Sequence, residues 1–315
     1  MKVAIVCDDK LDEHKEGMLD AVKNALEKKF EVGVVPFDEN FMENIKNYDI
    51  AFNMSTSGGK DGRQLHVPAV LDLLGIPYTA APALSHALCI DKGVTKSVLL
   101  SHGINTARFF VVYPGEDVPE HDLNFPLIAK PLREGSSKGL KKESVCYNNR
   151  ELGNMVKWIH ESFHEGALVE EFIDGTEVTV GLLERSGSVK VLPLLEIDFS
   201  ELPEGVEKFY SDKVKNHGYD RYINYIIPAR LDKGMYKKIE EAAKRAFKVL
   251  GLRDYARMDI RIKDRNYYIL DVNSLPLLVP GYSDITKMAE AAGMKYDDLI
   301  LAIMNSAIKR YNLKG

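Results

Sequence analysis

The run Val3-Ala4-Ile5-Val6-Cys7 is apolar at every position, and a strand without polar alternation has to be covered on both faces. Helix-period apolar residues follow at Leu19, Val22 and Leu26. Strand character returns at residues 32–35, and a short helix leads to another apolar run at 50–52. Strand, helix, strand, short helix, strand is the order of an α/β layer on a parallel sheet. After a polar, turn-rich stretch at 55–62, a helix is expected over 67–74. Pro68 falls in its first turn, where a missing N–H costs little, and Gly75 is its stop.

The remaining chain mixes elements. Residues 91–102 read as a helix stopped by Gly103, 109–113 and 127–130 as strands, and 149–161 as a helix. The runs 167–173 and 177–183, separated by Asp174-Gly175, read as a hairpin. One strand is expected over 189–197. Residues 201–220 are polar and aperiodic with few apolar anchors, the profile of a functional lid or binding loop. A helix over 233–250 precedes two antiparallel strands, 256–262 and 267–272, joined by a four-residue loop; helices at 284–292 and 296–311 end the chain. A length of 315 residues suggests about two domains.

With 42 Lys plus Arg against 47 Asp plus Glu, the net charge of −5 argues against a nucleic-acid coat or a polybasic membrane binder. No apolar run approaches the ~18 residues of a membrane span. Cys7, Cys89 and Cys146 are too scattered for a disulfide framework or a zinc cluster. A cytoplasmic chain with reduced thiols is expected. The eight histidines form no ligand spacing, and no Ser-His-Asp or Cys-His arrangement stands out.

The strongest local constellation is Arg257-Met258-Asp259 with Asp271-Val272-Asn273. The outer residues of each triplet share a strand face, and a tight turn sets the two strands side by side. Two carboxylates and an amide oxygen suit Mg²⁺, which keeps waters and borrows phosphate oxygens. A solvated surface hairpin accounts for the same pattern. The Gly- and Ser-rich loop at 133–139 can wrap a phosphate, although neither GxxxxGK[ST] nor a strand-borne GxGxxG is present. An ordinary surface loop has this composition too. Lys130 ends the apolar run Pro126-Leu127-Ile128-Ala129, a position suited to meeting an anion. Lys92 and Lys215 are single cations that a solvated surface would also explain. Glu170, Glu171 and Glu177 flank a turn, where one could accept hydrogen bonds from a nucleoside.

In order and spacing, several motifs resemble the ATP-grasp superfamily and, within it, the D-alanine–D-alanine ligase family. They are Gly75-Ile76-Pro77-Tyr78-Thr79, Asp91-Lys92 with Thr95-Lys96, and Ala129-Lys130-Pro131 followed by Gly135-Ser136-Ser137-Lys138-Gly139. The stretch from Glu170 to Glu177 and the two triplets complete the set. The resemblance covers nearly the whole chain. It implies an α/β and α+β architecture: a preATP-grasp, Rossmann-like domain over 1–86, a central ATP-grasp subdomain over 87–180, and a C-terminal subdomain over 181–315 holding the metal site and the lid. It implies ATP-dependent joining of a carboxylate to an amine through an acylphosphate, with Mg²⁺, or Mn²⁺ in its place. Lys92 and Lys130 look like the phosphate-contacting lysines, and Ser136 and Ser137 lie in the loop over the phosphates. Glu170, Phe172, Ile173 and Glu177 resemble the adenine and ribose strip. Asp259, Asp271 and Asn273 resemble the metal ligands, Arg257 the arginine supporting the acylphosphate, and Lys215 the lid lysine. Glu13 occupies the place of the glutamate receiving the first ammonium, and Ser283 approximates the serine receiving the second carboxylate. The expected partners are small amino-acid substrates and a second copy of the chain in a homodimer, with no nucleic acid and no membrane.

Departures cluster in the amino-acid pockets. The family's Gly-Gly after the first strand is Asp8-Asp9, a later Gly-Glu-Asp-Gly is Gly59-Lys60-Asp61-Gly62, and the tyrosine after the lid lysine is Asn216. The metal-bridging glutamate is Asp271, and Pro-Gly-Met-Thr becomes Pro276-Leu277-Leu278-Val279. A ligase with other amino-acid-like substrates and a nucleotide-binding protein that has lost catalysis are the alternatives.

Overall fold

The computed structural model describes residues 1–56, 63–185, 187–216 and 218–313. The departure at 59–62 and His217 lie outside the described residues. Strands β1 (Lys2–Asp8), β2 (Glu31–Phe37) and β3 (Ile50–Asn53) form a parallel sheet ordered β2-β1-β3. Helices α1 (Glu13–Leu26), α2 (Phe41–Asn44) and α3 (His66–Leu74) accompany it. Val3 and Ile5 pack on one face, with Met18 and Val22 of α1. Ala4 and Val6 pack on the other, with Val67 and Leu71 of α3. Gly75 closes α3 in the left-handed conformation, and its amide donates back into the helix. Helices α4 (Ala83–Ile90) and α5 (Lys92–Ser101) follow. The former was not legible as a separate helix; it runs across residue 86, and Asp91 between the two caps α5 by accepting from the Val94 amide.

Strands β4 (Phe109–Val112), β5 (Leu127–Pro131), β6 (Val145–Cys146) and β7 (Ala167–Glu171) form an antiparallel sheet ordered β4-β7-β5-β6. It packs on α6 (Asn149–Phe163) through Leu152, Met155, Val156 and Ile159. The chain then leaves this sheet. Strand β8 (Thr176–Arg185) belongs to a third sheet with β9 (Ser188–Val191), β10 (Leu195–Asp198), β11 (Asn224–Ile226), β12 (Tyr255–Lys263) and β13 (Asn266–Asn273), in the order β11-β10-β8-β12-β13 with β9 beside β8.

The hairpin expected from 167–173 and 177–183 is therefore absent. β7 pairs with β4 and β5, β8 pairs with β10 and β12, and residues 172–175 are the crossing between sheets. Both strands are central, so neither has a free edge for the other. The strand expected over 189–197 is likewise two, broken around Pro193. The turn between β12 and β13 holds two residues rather than four, Asp264 and Arg265, both with positive φ, the requirement of a tight hairpin.

Residues 201–220 are better anchored than their composition indicates. Leu202, Phe209 and Val214 are buried, and helix α7 (Asp212–Asn216) forms within the segment. Helix α8 (Lys233–Val249) covers one face of the third sheet through Met235, Ile239, Ala242 and Ala246. On the other face, α9 (Asp284–Ala291) and α10 (Tyr296–Arg310) share a core with the first sheet, in which Leu299 and Ile303 join Val3 and Ile5. Among the described residues no helix is long and apolar enough to cross a membrane.

Candidate active site

The second and third sheets face each other across a cleft whose floor is the crossing segment. Lys92, Lys130, Ser136, Ser137, Glu170, Phe172, Ile173, Glu177, Lys215, Arg257, Asp259, Asp271 and Asn273 all line it. It opens into a larger cavity of about 780 Å³, lined in addition by Asp12, Lys15 and Thr56 and by Tyr282, Ser283 and Lys287. Ser283 thus reaches the cavity, where its Oγ accepts from the Val279 amide at 3.0 Å. Glu13 is exposed in the first turn of α1 and does not line the cavity; its neighbours Asp12 and Lys15 do.

At one end of the cleft Glu170, on β7, is flanked by two lysines. Lys130 Nζ lies 2.6 Å from Oε1 and Lys96 Nζ 2.6 Å from Oε2. Burial works against the Glu170 charge, but Lys130 and Lys96 outweigh it and hold the carboxyl below its ordinary range. Lys92 is held by the carbonyl oxygens of Glu134, Leu132 and Pro131, the first at 2.5 Å. Burial lowers its pKa, opposed by Asp271. Glu177 accepts from Arg261 at 2.6 Å, and the Arg261 guanidinium lies 5.8 Å from the centre of the Phe172 ring. The Gly-Ser loop runs above. Its left-handed residues are Ser136, Ser137 and Gly139. Only Gly139 is sterically required there, because a Cβ would fall 2.6 Å from Pro131.

At the other end β12 and β13 pair Asp259 directly with Asp271 and Arg257 with Asn273. The register slips after Asp259, so Leu270 is an extra residue on β13 and lines the cleft beside Asp271. Such a bulge re-aims side chains next to a site. Arg257 grips Asp259 with Nε and Nη2, both at 3.0 Å, and its Nη1 lies 3.5 Å from Asp284. Thr179 donates to Asp259 at 2.6 Å, and Asn273 Nδ2 at 3.3 Å. Lys215 sits 5.4 Å from the centre of the Tyr210 ring. Burial and the nearby Arg257 lower its pKa.

No group of three His, Cys, Asp or Glu side chains that could hold a metal occurs among the described residues. The pair Asp259 and Asp271 with Asn273 is a hard-oxygen set of the size that Mg²⁺ uses when substrate phosphates complete its shell. Asp259 is neutralised by Arg257, whereas no hydrogen bond reaches the Asp271 carboxylate among the described residues.

Sequence reasoning missed Arg261, Asp284, Tyr210 and Lys15, and named Lys96 only within a motif, without a role. Arg261 was open to detection, since it continues the alternation Arg257, Asp259 along one strand face. Lys15 was not. Its ammonium pairs with the buried carboxylate of Asp8 at 2.6 Å and donates to Thr56 Oγ1 at 2.7 Å, a partnership across 41 residues. Asp8 also accepts from Ser55 Oγ and the Thr56 amide, so it is built into the wall beneath Lys15, while Asp9 is exposed.

Residues 98–305 match the family model described as D-ala D-ala ligase C-terminus. The D-alanine–D-alanine ligase of Pseudothermotoga lettingae is 33% identical over 295 residues, covering 90% of each chain. That of Carboxydothermus hydrogenoformans is 31% identical, covering 96% of this chain and 97% of the relative. Among solved structures, the D-alanine–D-alanine ligase of Bacillus anthracis complexed with ATP superposes with a TM-score of 0.80 at 25% identity, over the full length of both chains.

Proposed function

The chain belongs to the D-alanine–D-alanine ligase family of ATP-grasp enzymes, and from that premise we propose that it joins two amino acids through an acylphosphate, releasing ADP and phosphate. The observation that carries this reading is the continuity of the narrow cleft with the larger cavity, through shared walls at Lys92, Ser136, Lys215, Arg257, Asp271 and Asn273. A nucleotide lying between the two sheets would end where a second compartment for small molecules begins.

In this reading the crossing at Phe172 and Ile173 receives the base beside Glu170, whose two carboxylate oxygens are taken by Lys130 and Lys96, Glu177 receives the ribose, and Lys92, Lys130, Ser136 and Ser137 hold the phosphates. Asp259, Asp271 and Asn273 would hold Mg²⁺, which supplies charge neutralisation at the transferred phosphoryl group. A carboxylate does not react with an amine until it is activated. The first substrate's carboxylate therefore attacks the γ-phosphorus, the β–γ bridging bond breaks, and the negative charge is held by Lys92, Lys215 and Arg257. The amine then attacks the acyl carbon, phosphate leaves, and a proton is lost from nitrogen. Tyr210 and Lys215 close the cleft from the 201–220 segment, which keeps water from the acylphosphate. The expected parts 1–86, 87–180 and 181–315 keep their order, the first two joined through α4 and the last two through β8, each of which runs across a boundary, and a cytoplasmic homodimer completes the proposal.

A second reading keeps the chemistry and changes the substrates. It rests on Glu13 being exposed while Lys15, Asp12 and Asp284 line the cavity, so the charges awaiting the amino acids differ from those of a D-alanine pocket. One experiment separates the two: ADP release in the presence of Mg²⁺ and paired D- and L-amino acids, with product masses. D-alanyl-D-alanine as the best product upholds the first reading, and another dipeptide upholds the second. ATP consumption without a condensed product would overturn both.

A further inference from the structure

Resting on the nucleotide reading above, we propose that Lys96 is a positioning residue that holds Glu170 in place and thereby frees Lys130 to bind the nucleotide phosphates. The sequence pairs Lys130 with the cleft, but in the structure its ammonium is committed to Glu170. Were Glu170 to have that partner alone, Lys130 could turn to a phosphate only by leaving a buried carboxylate unpaired, which is strongly unfavourable.

Lys96 removes this conflict. It lies on α5, is 1% exposed and does not line the cleft, whereas Lys130 does. Its Nζ reaches the second oxygen of Glu170 at 2.6 Å and donates to Thr106 Oγ1 at 2.6 Å. Thr106 in turn donates to the Ile269 carbonyl at 2.6 Å, which fixes the lysine against β13. The cluster holds two ammonium groups and one carboxylate. It carries a surplus positive charge, and the next cation along the cleft, Lys92, is held by backbone carbonyls. An anion is what this arrangement lacks. With Lys96 as the permanent partner of Glu170, that anion can draw Lys130 away without breaking the buried pair.

The test compares ATP with adenosine, which shares the base and ribose but has no phosphates, as ligands of the full chain measured by calorimetry. In Lys96→Met, Lys130 stays bound to Glu170, so ATP affinity falls about tenfold, the lower range for one charged hydrogen bond. Adenosine affinity stays close to that of the wild type. A merely structural role for Lys96 would weaken both ligands alike, and an unchanged ratio of the two affinities overturns the proposal. The double variant Lys96→Met/Glu170→Gln removes opposite charges together and remains informative if the single variant does not fold. Here Lys130 is released, and ATP binding is expected to return towards the wild-type value. A double variant that binds ATP as weakly as Lys130→Met also overturns the proposal. Wild-type protein that binds ATP while these variants behave otherwise than stated refutes the role of Lys96 alone; wild-type protein that binds no ATP refutes the nucleotide reading and this inference with it.

Discussion

Asp259 and Asp271 occupy directly opposed positions on β12 and β13, yet they are not equivalent. Asp259 is gripped by Arg257 and capped by Thr179. Asp271 has no such partner among the described residues, so a cation arriving with the nucleotide would find it the more available ligand. Asp271→Asn is therefore expected to move Mg²⁺ activation to higher concentration and to lower kcat about tenfold or more at saturating ATP, in line with the loss of one charged contact. Titrating Mg²⁺ for both proteins checks this, and superimposable activation curves would remove Asp271 from the metal site. The opposition of these residues was legible because strand periodicity and a short turn fix it. The grip of Arg257 on Asp259 was not, since residues two apart on one face touch only when the strand twist and their rotamers allow it. Asp284 was illegible for a different reason: it reaches the site from α9, and no local pattern links it to Arg257.

Between residues 167 and 183 the local signals were correct and their assembly was not. Two strand-like runs flank an Asp174-Gly175 turn, which is also how a connection between sheets looks when it is short. Only the partners β4, β5, β10 and β12, distant in sequence, distinguish the two. The 201–220 segment presents the reverse case, a polar composition with a few apolar residues that do the anchoring. Phe209 packs edge-on against Phe172 of the crossing, ring centres 5.9 Å apart, and the Asp212 amide donates to the Leu140 carbonyl beyond the Gly-Ser loop. The segment is thus held from both sides of the nucleotide cleft. Phe209→Ala removes one of these holds. It is expected to speed limited proteolysis within 201–220 and to raise the KM for ATP, while ATP with an acylphosphate mimic slows cleavage of the wild type. Cleavage rates that do not respond to the variant or to the ligands would mean that this segment does not gate the cleft.

The α/β character of the first 75 residues was legible because covered parallel strands are apolar throughout. Their union with the last third of the chain was not, because a sequence does not say which core a helix stripe will join. Helix α10 packs against the first sheet, and its end carries Arg310, which donates to the Tyr78 carbonyl and to both oxygens of Asp254. Asp254 is fully buried, precedes β12, and accepts from the Ala80 amide at 2.7 Å. One ion pair therefore ties the N-terminal layer, the C-terminal helix and the strand that bears Arg257 and Asp259. Arg310→Met would leave a buried carboxylate without its cation, a loss of about 3 kcal/mol, taken at the low end for a broken buried pair because part of the Arg310 side chain meets solvent. Urea unfolding should show a lower midpoint with an unchanged slope if the layers unfold as a unit. A second transition of reduced slope would instead mean that the N-terminal layer separates first. Adding Asp254→Asn to Arg310→Met removes the stranded charge, and Asn tolerates the left-handed backbone at this position, where φ is +59°. The double variant should recover part of the lost stability. If it is no more stable than Arg310→Met, the loss comes from the packing of Arg310 between the layers and not from its charge.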